Sequence, residues 1–299
     1  MMKKIRLAFA VAWISFSAAA APMAGVPAFR VTAPNGESSL LIGTMHVPHP
    51  ALLQPSGVIL HGMRTFVMEH TTHDERPDGL DPEAFAGLLE SRNVRAPWAR
   101  GITEKQISLI VERYNCAAEK PLTRADVELL LKLRTARLMS MLAFIPCTPP
   151  GMLSRDDLLA KAAAQYQVPV TALESQQEVS ARRSVLPDHF YEKSLDYALN
   201  TDLDKLYQSL VAAFNRGDFS YIEAHAADGL GNAADKALFQ NTMLVERNLA
   251  WMPALRHALD KGKAVVAVGA GHLGGRQGLQ ALLTQAGYLV EPVTLSAAN

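Results

Sequence analysis

Ala264-Val265-Val266-Ala267-Val268-Gly269-Ala270-Gly271-His272 is an apolar run that continues into the pattern Gly-x-x-His. Consecutive apolar residues bounded by glycine predict a short buried strand, and the glycine lets the chain turn sharply after it. The same pattern occurs near the start of the chain, where Ser39-Leu40-Leu41-Ile42 continues into Gly43-Thr44-Met45-His46. The two histidines are far apart in sequence, so only the tertiary fold could unite them.

Strand patterns flank a long helical region. Phe29 to Thr32 and residues 39–42 enclose Asn35-Gly36, which is a hairpin signal, and Tyr288 to Glu291 predicts a last strand. Helical periodicity predicts helical insertions at about 81–167 and 187–257. We therefore expect a single α/β domain whose central sheet carries the paired Gly-x-x-His strand ends, with a largely helical middle.

Two further predicted strands end in carboxylates: Thr65 to Met68 precedes Glu69, and Val168 to Leu173 precedes Glu174. Ligand sites of open α/β sheets lie beyond the carboxyl ends of the strands. Two imidazoles with a carboxylate are suitable ligands for Zn, Mn, Fe or Co, and such a metal can polarise a carbonyl. The alternative is that each histidine only satisfies local polar groups at a strand end.

Other motifs are weaker. Gly269-x-Gly271-x-x-Gly274 matches the dinucleotide fingerprint between a predicted strand and helix, and Glu291 stands where a ribose-binding acid belongs. Only eight residues follow Glu291, which is too few for the rest of that fold. A zincin H-E-x-x-H helix and a G-x-S-x-G elbow are absent from the sequence. The remaining candidates, which we interpret as loop or supporting residues, are His49, His70 and His73.

The start of the chain has the pattern of a secretory signal peptide. A basic start is followed by an apolar run from Leu7 to Ser17 and by the small residues Ala18 to Ala21. We predict a signal peptide over 1–20, a mature domain over 21–299 and a periplasmic or secreted location. A membrane anchor is the alternative, although the apolar run is short for a span.

Charge and hydropathy exclude other classes of partner. Loss of residues 1–20 removes three basic residues and no acidic one, so the mature chain has a net charge of −3. A mildly acidic chain without a basic run predicts no nucleic-acid binding. No other segment is long and apolar enough for a stable membrane span.

Cys116 and Cys147 are the only cysteines. In an exported protein, a pair of this kind predicts a disulfide rather than a metal site. The alternative is two independently buried thiols.

Taken in order, the motifs resemble the TraB/PrgY/GumN family, whose animal relatives are the Tiki proteases. The resemblance extends from about Phe29 to Val293. It rests on the following segments: Leu41–Val47, Phe66–Glu69, Ala172–Glu178, Glu246–Asn248, Val268–Gly274, Gly278–Leu279, Leu283, Gly287–Tyr288 and Val290. One departure is mild: the usual Leu-Glu-Thr reads Leu173-Glu174-Ser175 here.

The resemblance implies a fold shared with erythromycin-esterase-like and ChaN-like proteins, and metal-dependent cleavage of a peptide or protein substrate. The implied cofactor is a divalent metal, Mn or Co first, with Zn also compatible. By position, His46, Glu69 and His272 resemble the metal or catalytic set. Glu174, Arg247 and Asn248 resemble residues that support catalysis. Because ChaN-like relatives bind haem, a non-catalytic haem- or metal-binding protein is the alternative.

Overall fold

The computed structural model describes residues 25–70, 94–117 and 121–298. Three sequence predictions lie outside these ranges, namely the signal peptide over 1–20, the start of the first helical insertion at about residue 81, and a loop or supporting role for His73. None of the helices in the described ranges has the length and apolar character that crossing a membrane requires.

The protein is an α/β structure with one mixed six-stranded sheet, in the order β4-β3-β5-β2-β1-β6. The strands are β1 (Val26–Thr32), β2 (Ser38–Thr44), β3 (Thr65–Met68), β4 (Val170–Ala172), β5 (Ala264–Gly269) and β6 (Leu289–Leu295). All six predicted strands form, with bounds that differ by a few residues. β5 is buried throughout, as expected for a central strand covered on both faces.

β2, β5, β3 and β4 are mutually parallel, whereas β1 pairs antiparallel with both β2 and β6. The predicted hairpin joins β1 to β2, and Gly36 adopts a positive φ of 87° in its turn. Parallel pairing places the carboxyl ends of the four central strands at one edge of the sheet. Those ends are the ones that lead to His46, Glu69, Glu174 and His272.

Helices fill the middle of the chain, as predicted. They are α1 (Glu104–Ala117), α2 (Arg124–Leu130), α3 (Arg137–Ala143), α4 (Arg155–Gln165), α5 (Gln176–Ser184), α6 (Asp188–Asn200), α7 (Leu203–Arg216), α8 (Phe219–His225), α9 (Ala233–Gln240), α10 (Glu246–Asp260) and α11 (Leu279–Gln285). A π-helical turn over Asn241–Val245 joins α9 to α10.

The sequence also predicts a short helix over Pro55 to Met63 and another from about Gly275 to Ala286, and both are shorter in the structure. The segment from Pro55 to Met63 contains only a 3-10 helix over Gly57–Leu60. α11 begins at Leu279 rather than near Gly275, because Gly275 has a positive φ of 77° and the backbone folds closely around Gly278. A 3-10 turn over Ala270–His272 therefore follows β5, and the helix start that a dinucleotide fingerprint needs is absent there.

Apolar residues pack on both faces of the sheet. One face packs against α7, α10 and α11, and the other packs against α4 and the 3-10 helix at Gly57–Leu60. A separate core joins α1, α2, α3 and α6 into a helical layer. The predicted disulfide between Cys116 and Cys147 forms within that layer, with the two Cα atoms 5.1 Å apart.

Candidate active site

The six residues proposed from the sequence lie together at the carboxyl edge of the parallel strands. His46 follows β2 by two residues, Glu69 follows β3 directly, Glu174 follows β4 by two residues, and His272 ends the 3-10 turn after β5. The last two, Arg247 and Asn248, come from the first turn of α10. The geometry places all six side chains in one connected cluster, and their individual roles stay predictions.

Glu69 is the centre of this cluster. Its Oε1 accepts a hydrogen bond from the Gly269 N–H at 2.5 Å and lies 3.8 Å from Nε2 of both His46 and His272. Burial raises the pKa of Glu69, but His272, His46, Arg247 and the Gly269 N–H outweigh it and hold the pKa well below its usual range. Since His272 is itself neutral near pH 7, the more basic His46, the cation of Arg247 and the backbone donor are the partners that keep this carboxylate charged.

Arg247 connects the two buried carboxylates. Its Nη2 donates to Glu69 Oε2 at 2.6 Å and also to Glu174 Oε1, and its Nε donates to the same Glu174 oxygen at 2.9 Å. Its guanidinium lies over the ring of Trp251, 4.8 Å from the centroid. Because the arginine and both glutamates are buried, they form a charge-assisted network that solvent screens little.

The π-helical turn before α10 gives Arg247 an additional partner. Nη1 of Arg247 donates to the carbonyl of Met243, within that turn, at 3.2 Å. The same Nη1 lies 3.1 Å from Nε2 of His272. π-Helical turns often occur at functional sites, since they change which side chains face the interior.

Asn248 determines how His272 presents its ring. The Asn248 Nδ2 donates to the carbonyls of Gln277, at 2.9 Å, and His272, at 3.3 Å, so its Oδ1 faces Nδ1 of His272 at 2.7 Å. An acceptor at Nδ1 places the proton there and leaves the lone pair on Nε2, towards Glu69. Burial lowers the pKa of His272 to about 3; Glu69 opposes this shift, and Arg247 and His46 add to it.

His46 has a different environment. Solvent reaches 58% of its side chain, and its Nδ1 lies 3.3 Å from Oδ2 of Asp156 at the start of α4. Partial burial opposes the charged imidazolium, but the charge and hydrogen bond of Asp156, followed by Glu69, raise the pKa of His46 above its ordinary value. The two histidines therefore differ, since His272 is buried and neutral while His46 is open and more basic.

Asp156 is the residue of this cluster that the sequence analysis missed. The signal at that position is only a helix start, in which Ser154 caps α4. Nothing in the local pattern connects it to His46, because the contact depends on packing α4 beside the end of β2.

A pocket of about 320 Å³ opens over the cluster. It is lined by His46, Met68, Glu69, His70, Ser154, Asp156, Asp157, Val179, Arg183 and Arg247. Of the predicted supporting histidines, His70 is part of this lining, and His49 instead stacks beside Tyr207 with ring centroids 6.5 Å apart.

The donor types at the site fit a divalent cation. Two metal–ligand bonds of about 2.1 Å can span the 3.8 Å between Glu69 Oε1 and either imidazole Nε2. Space exists between these atoms because residue 269 has no side chain: a Cβ there would lie 3.0 Å from Glu69 Oε1 and 3.2 Å from His46 Nε2. Among the described residues, however, no three histidine, cysteine, aspartate or glutamate side chains already form a metal-binding group. In this arrangement Arg247 engages Nε2 of His272 instead.

Comparison with known proteins gives one positive result. No curated protein matches the chain in sequence. A model of the TraB/PrgY/gumN family matches residues 27–292. This range includes all six clustered side chains and all six strands, apart from the first residue of β1 and the last three residues of β6. The protein therefore belongs to the TraB/PrgY/gumN family.

Proposed function

We propose that the protein is an exported metal-dependent hydrolase, and more specifically a metallopeptidase that acts on a peptide or protein substrate. The observation that carries the proposal is the approach of two imidazole Nε2 atoms, from His46 and His272, to one oxygen of Glu69. Two histidines and one carboxylate are a common ligand set of catalytic metal sites. When bound there, a divalent cation such as Mn, Co or Zn supplies Lewis-acid polarisation of a carbonyl or of water.

The protein's own residues have separable tasks in this proposal. His46, Glu69 and His272 hold the cation. Arg247 keeps Glu69 and Glu174 ionised and oriented, since it donates to both carboxylates. Asn248 keeps the Nε2 lone pair of His272 directed at the site. Glu174 contacts the site through Arg247, and it is proposed to support the positioning of the other site residues or proton transfer.

The character of the pocket favours hydrolysis over haem binding. A haem site needs extensive apolar walls, whereas this pocket is lined by the carboxylates of Glu69, Asp156 and Asp157 and by two arginines. These groups suit a polar substrate such as a peptide backbone. A protein that binds haem without catalysis remains an outcome that the test below separates.

The experiment combines metal analysis with a cleavage screen. Purified mature protein is analysed for bound metal, stripped with a chelator, and incubated with a mixed peptide library after addition of Mn²⁺, Co²⁺ or Zn²⁺. We expect cleavage that the chelator abolishes and one of these ions restores, and no cleavage by Glu69→Gln under any condition. Bound haem with its absorbance band and no turnover would support the alternative instead.

Export is tested separately. We expect the protein expressed with its own N-terminus to be recovered from the periplasm and to begin near Ala21. Intact Met1 in cytosolic protein would contradict this part of the proposal.

A further inference from the structure

The start of α4 contacts the turn that carries His46 in two ways. Arg155 is buried and donates from Nη1 to the carbonyl of Gly43 at 2.5 Å and from Nη2 to the carbonyl of Leu53 at 2.6 Å. These carbonyls stand at the two ends of the turn. The next residue, Asp156, accepts from the imidazole itself, with 3.3 Å between its Oδ2 and Nδ1 of His46. One helical turn therefore holds both the backbone and the ring.

Asp156 is not needed to cap the helix. Acidic residues are common in the first turn of a helix because they favour its dipole, so their presence alone indicates no function. In α4 the cap is formed by Ser154 and Asp157. The backbone N–H of Asp157 donates to Ser154 Oγ at 3.2 Å, and its Oδ2 accepts from the same hydroxyl at 2.6 Å. The side chain of Asp156 is only 13% exposed and faces His46.

The two histidines of the site are held by equivalent contacts. Asn248 provides an oxygen acceptor to Nδ1 of His272, and Asp156 provides one to Nδ1 of His46. In both rings Nε2 is the atom on the Glu69 side. Since the partner of one ring nitrogen decides whether the other carries a lone pair, both contacts favour the tautomer that a metal ligand needs.

We propose that Asp156 is a positioning residue of the site, which fixes the tautomer and direction of the His46 ring while Arg155 holds the backbone of the same turn. This inference rests on the proposed function, in which His46 binds a cation together with Glu69 and His272. It adds a residue that is not itself a ligand of the cation and that acts on it through His46.

The first test measures affinity for Co²⁺ at one fixed pH, using its absorption spectrum. Metal-free wild type is compared with Asp156→Ala, with the isosteric Asp156→Asn, and with the control Asp157→Asn, which changes the neighbouring carboxylate of the same pocket. We expect affinity to fall about 10- to 100-fold in both Asp156 variants, as is usual when the partner of a ligating histidine is lost. The control should bind Co²⁺ nearly as well as the wild type.

Asp156→Asn sharpens the test. The amide nitrogen of Asn248 donates to two backbone carbonyls, so only its side-chain oxygen can face Nδ1 of the His272 ring. An asparagine at 156 has no comparable constraint and can donate to Nδ1, which moves the ring proton to Nε2. Urea unfolding of each variant confirms that the chain is still folded when its affinity is measured.

A second measurement needs no metal. Long-range ¹H–¹⁵N spectra of the metal-free protein, at an alkaline pH where the ring is neutral, report which nitrogen of His46 carries the proton. We expect Nδ1–H in the wild type and loss of that preference in both Asp156 variants. Folded Asp156 variants with unchanged Co²⁺ affinity and an unchanged His46 tautomer would overturn the inference. If the wild type itself binds no Co²⁺, the proposed metal site fails, and the ring spectra still decide the role of Asp156.

Discussion

Nη1 of Arg247 lies 3.1 Å from Nε2 of His272, which is the ring nitrogen that a cation would use. The same guanidinium donates to Glu69 and Glu174, so one arginine contacts three of the clustered residues. A cation bound at His272 has to displace this contact, while the bonds to the two carboxylates can persist. Arg247 thus stabilises the metal-free site and would compete with a bound cation at a single atom.

Arg247→Ala should destabilise the protein strongly. The change leaves two buried carboxylates without their cation, and breaking a buried ion pair in this way costs about 3–5 kcal/mol. The measurement is urea unfolding of the metal-free protein. The matched control is Arg182→Ala, which breaks the more exposed ion pair with Glu246 and should cost less than about 1 kcal/mol.

Adding Glu174→Gln to Arg247→Ala should recover part of that loss, because it removes one of the two orphaned charges. The two free-energy changes should therefore be clearly non-additive. Strict additivity would mean that Arg247 and Glu174 do not stabilise each other.

His46→Ala and His272→Ala should each abolish cleavage while the chain stays folded, and the double variant should be hardly worse. Ligands of one metal act as a unit, so the loss of either removes most of the rate. Cleavage rate and metal affinity are measured for the wild type, both single variants and the double variant. Mild and additive losses would contradict a shared site.

Glu69 and Glu174 should respond differently to the same change. Glu69→Gln should eliminate metal binding and activity, because Glu69 Oε1 is the atom that both imidazoles approach. Glu174→Gln should reduce turnover but leave metal binding intact, since Glu174 contacts the other site residues only through Arg247 in this proposal. Metal content and rate are measured for both; metal loss only in Glu174→Gln would exchange the two roles.

Gly269→Ala should weaken metal binding without unfolding the protein. The added Cβ would lie 3.0 Å from Glu69 Oε1 and 3.2 Å from His46 Nε2, in the space that a cation needs. The control is Gly101→Ala, where a Cβ meets nothing within 4 Å and the backbone is not in the left-handed region. Co²⁺ titration of both variants provides the comparison, and equal affinities would show that the space beside residue 269 is not used.

The stability of the metal-free protein should fall as the pH drops below about 6.5. The pKa of His272 is lowered from 6.5 to about 3, so the unfolded chain binds a proton in this range and the folded chain does not. The free energy of unfolding should lose on the order of 1 kcal/mol per pH unit from this group. Below about pH 4.5 the lowered pKa of Glu69 adds a loss in the same direction.

His46 should make the stability of the metal-free protein fall at high pH instead. Its pKa is raised to about 9, so its stabilising contribution is complete below pH 6.5 and is lost as the pH rises through 9. Urea unfolding from pH 4 to 10 should show a maximum near neutrality, and His272→Gln should flatten the acidic limb. An unchanged acidic limb in that variant would mean that His272 is not held neutral.

Local patterns determined the strands of this protein. The signals for these strands are apolar runs bounded by glycine and the Asn35-Gly36 turn, which depend only on neighbours in sequence. All six predicted strands form for that reason. Helix bounds were predicted less well near Gly275 and Gly278, where close backbone packing delays α11. Because parallel strands end at the same edge of a sheet, the polar residues that follow them could be predicted to share one site. Arg247 and Asn248 were predicted only from the resemblance to the family.

The sequence by itself thus determined which strand ends carry His46, Glu69, Glu174 and His272, since each side chain follows its own apolar segment. Only the tertiary structure decided how these groups differ chemically. His272 is neutral because burial, with Arg247 and His46, lowers its pKa, while Asn248 sets the direction of its ring. His46 is more basic because Asp156, more than a hundred positions away, packs against it. Ionisation and tautomer depend on the distance to charges and on exclusion of water, and both arise when separate elements pack together.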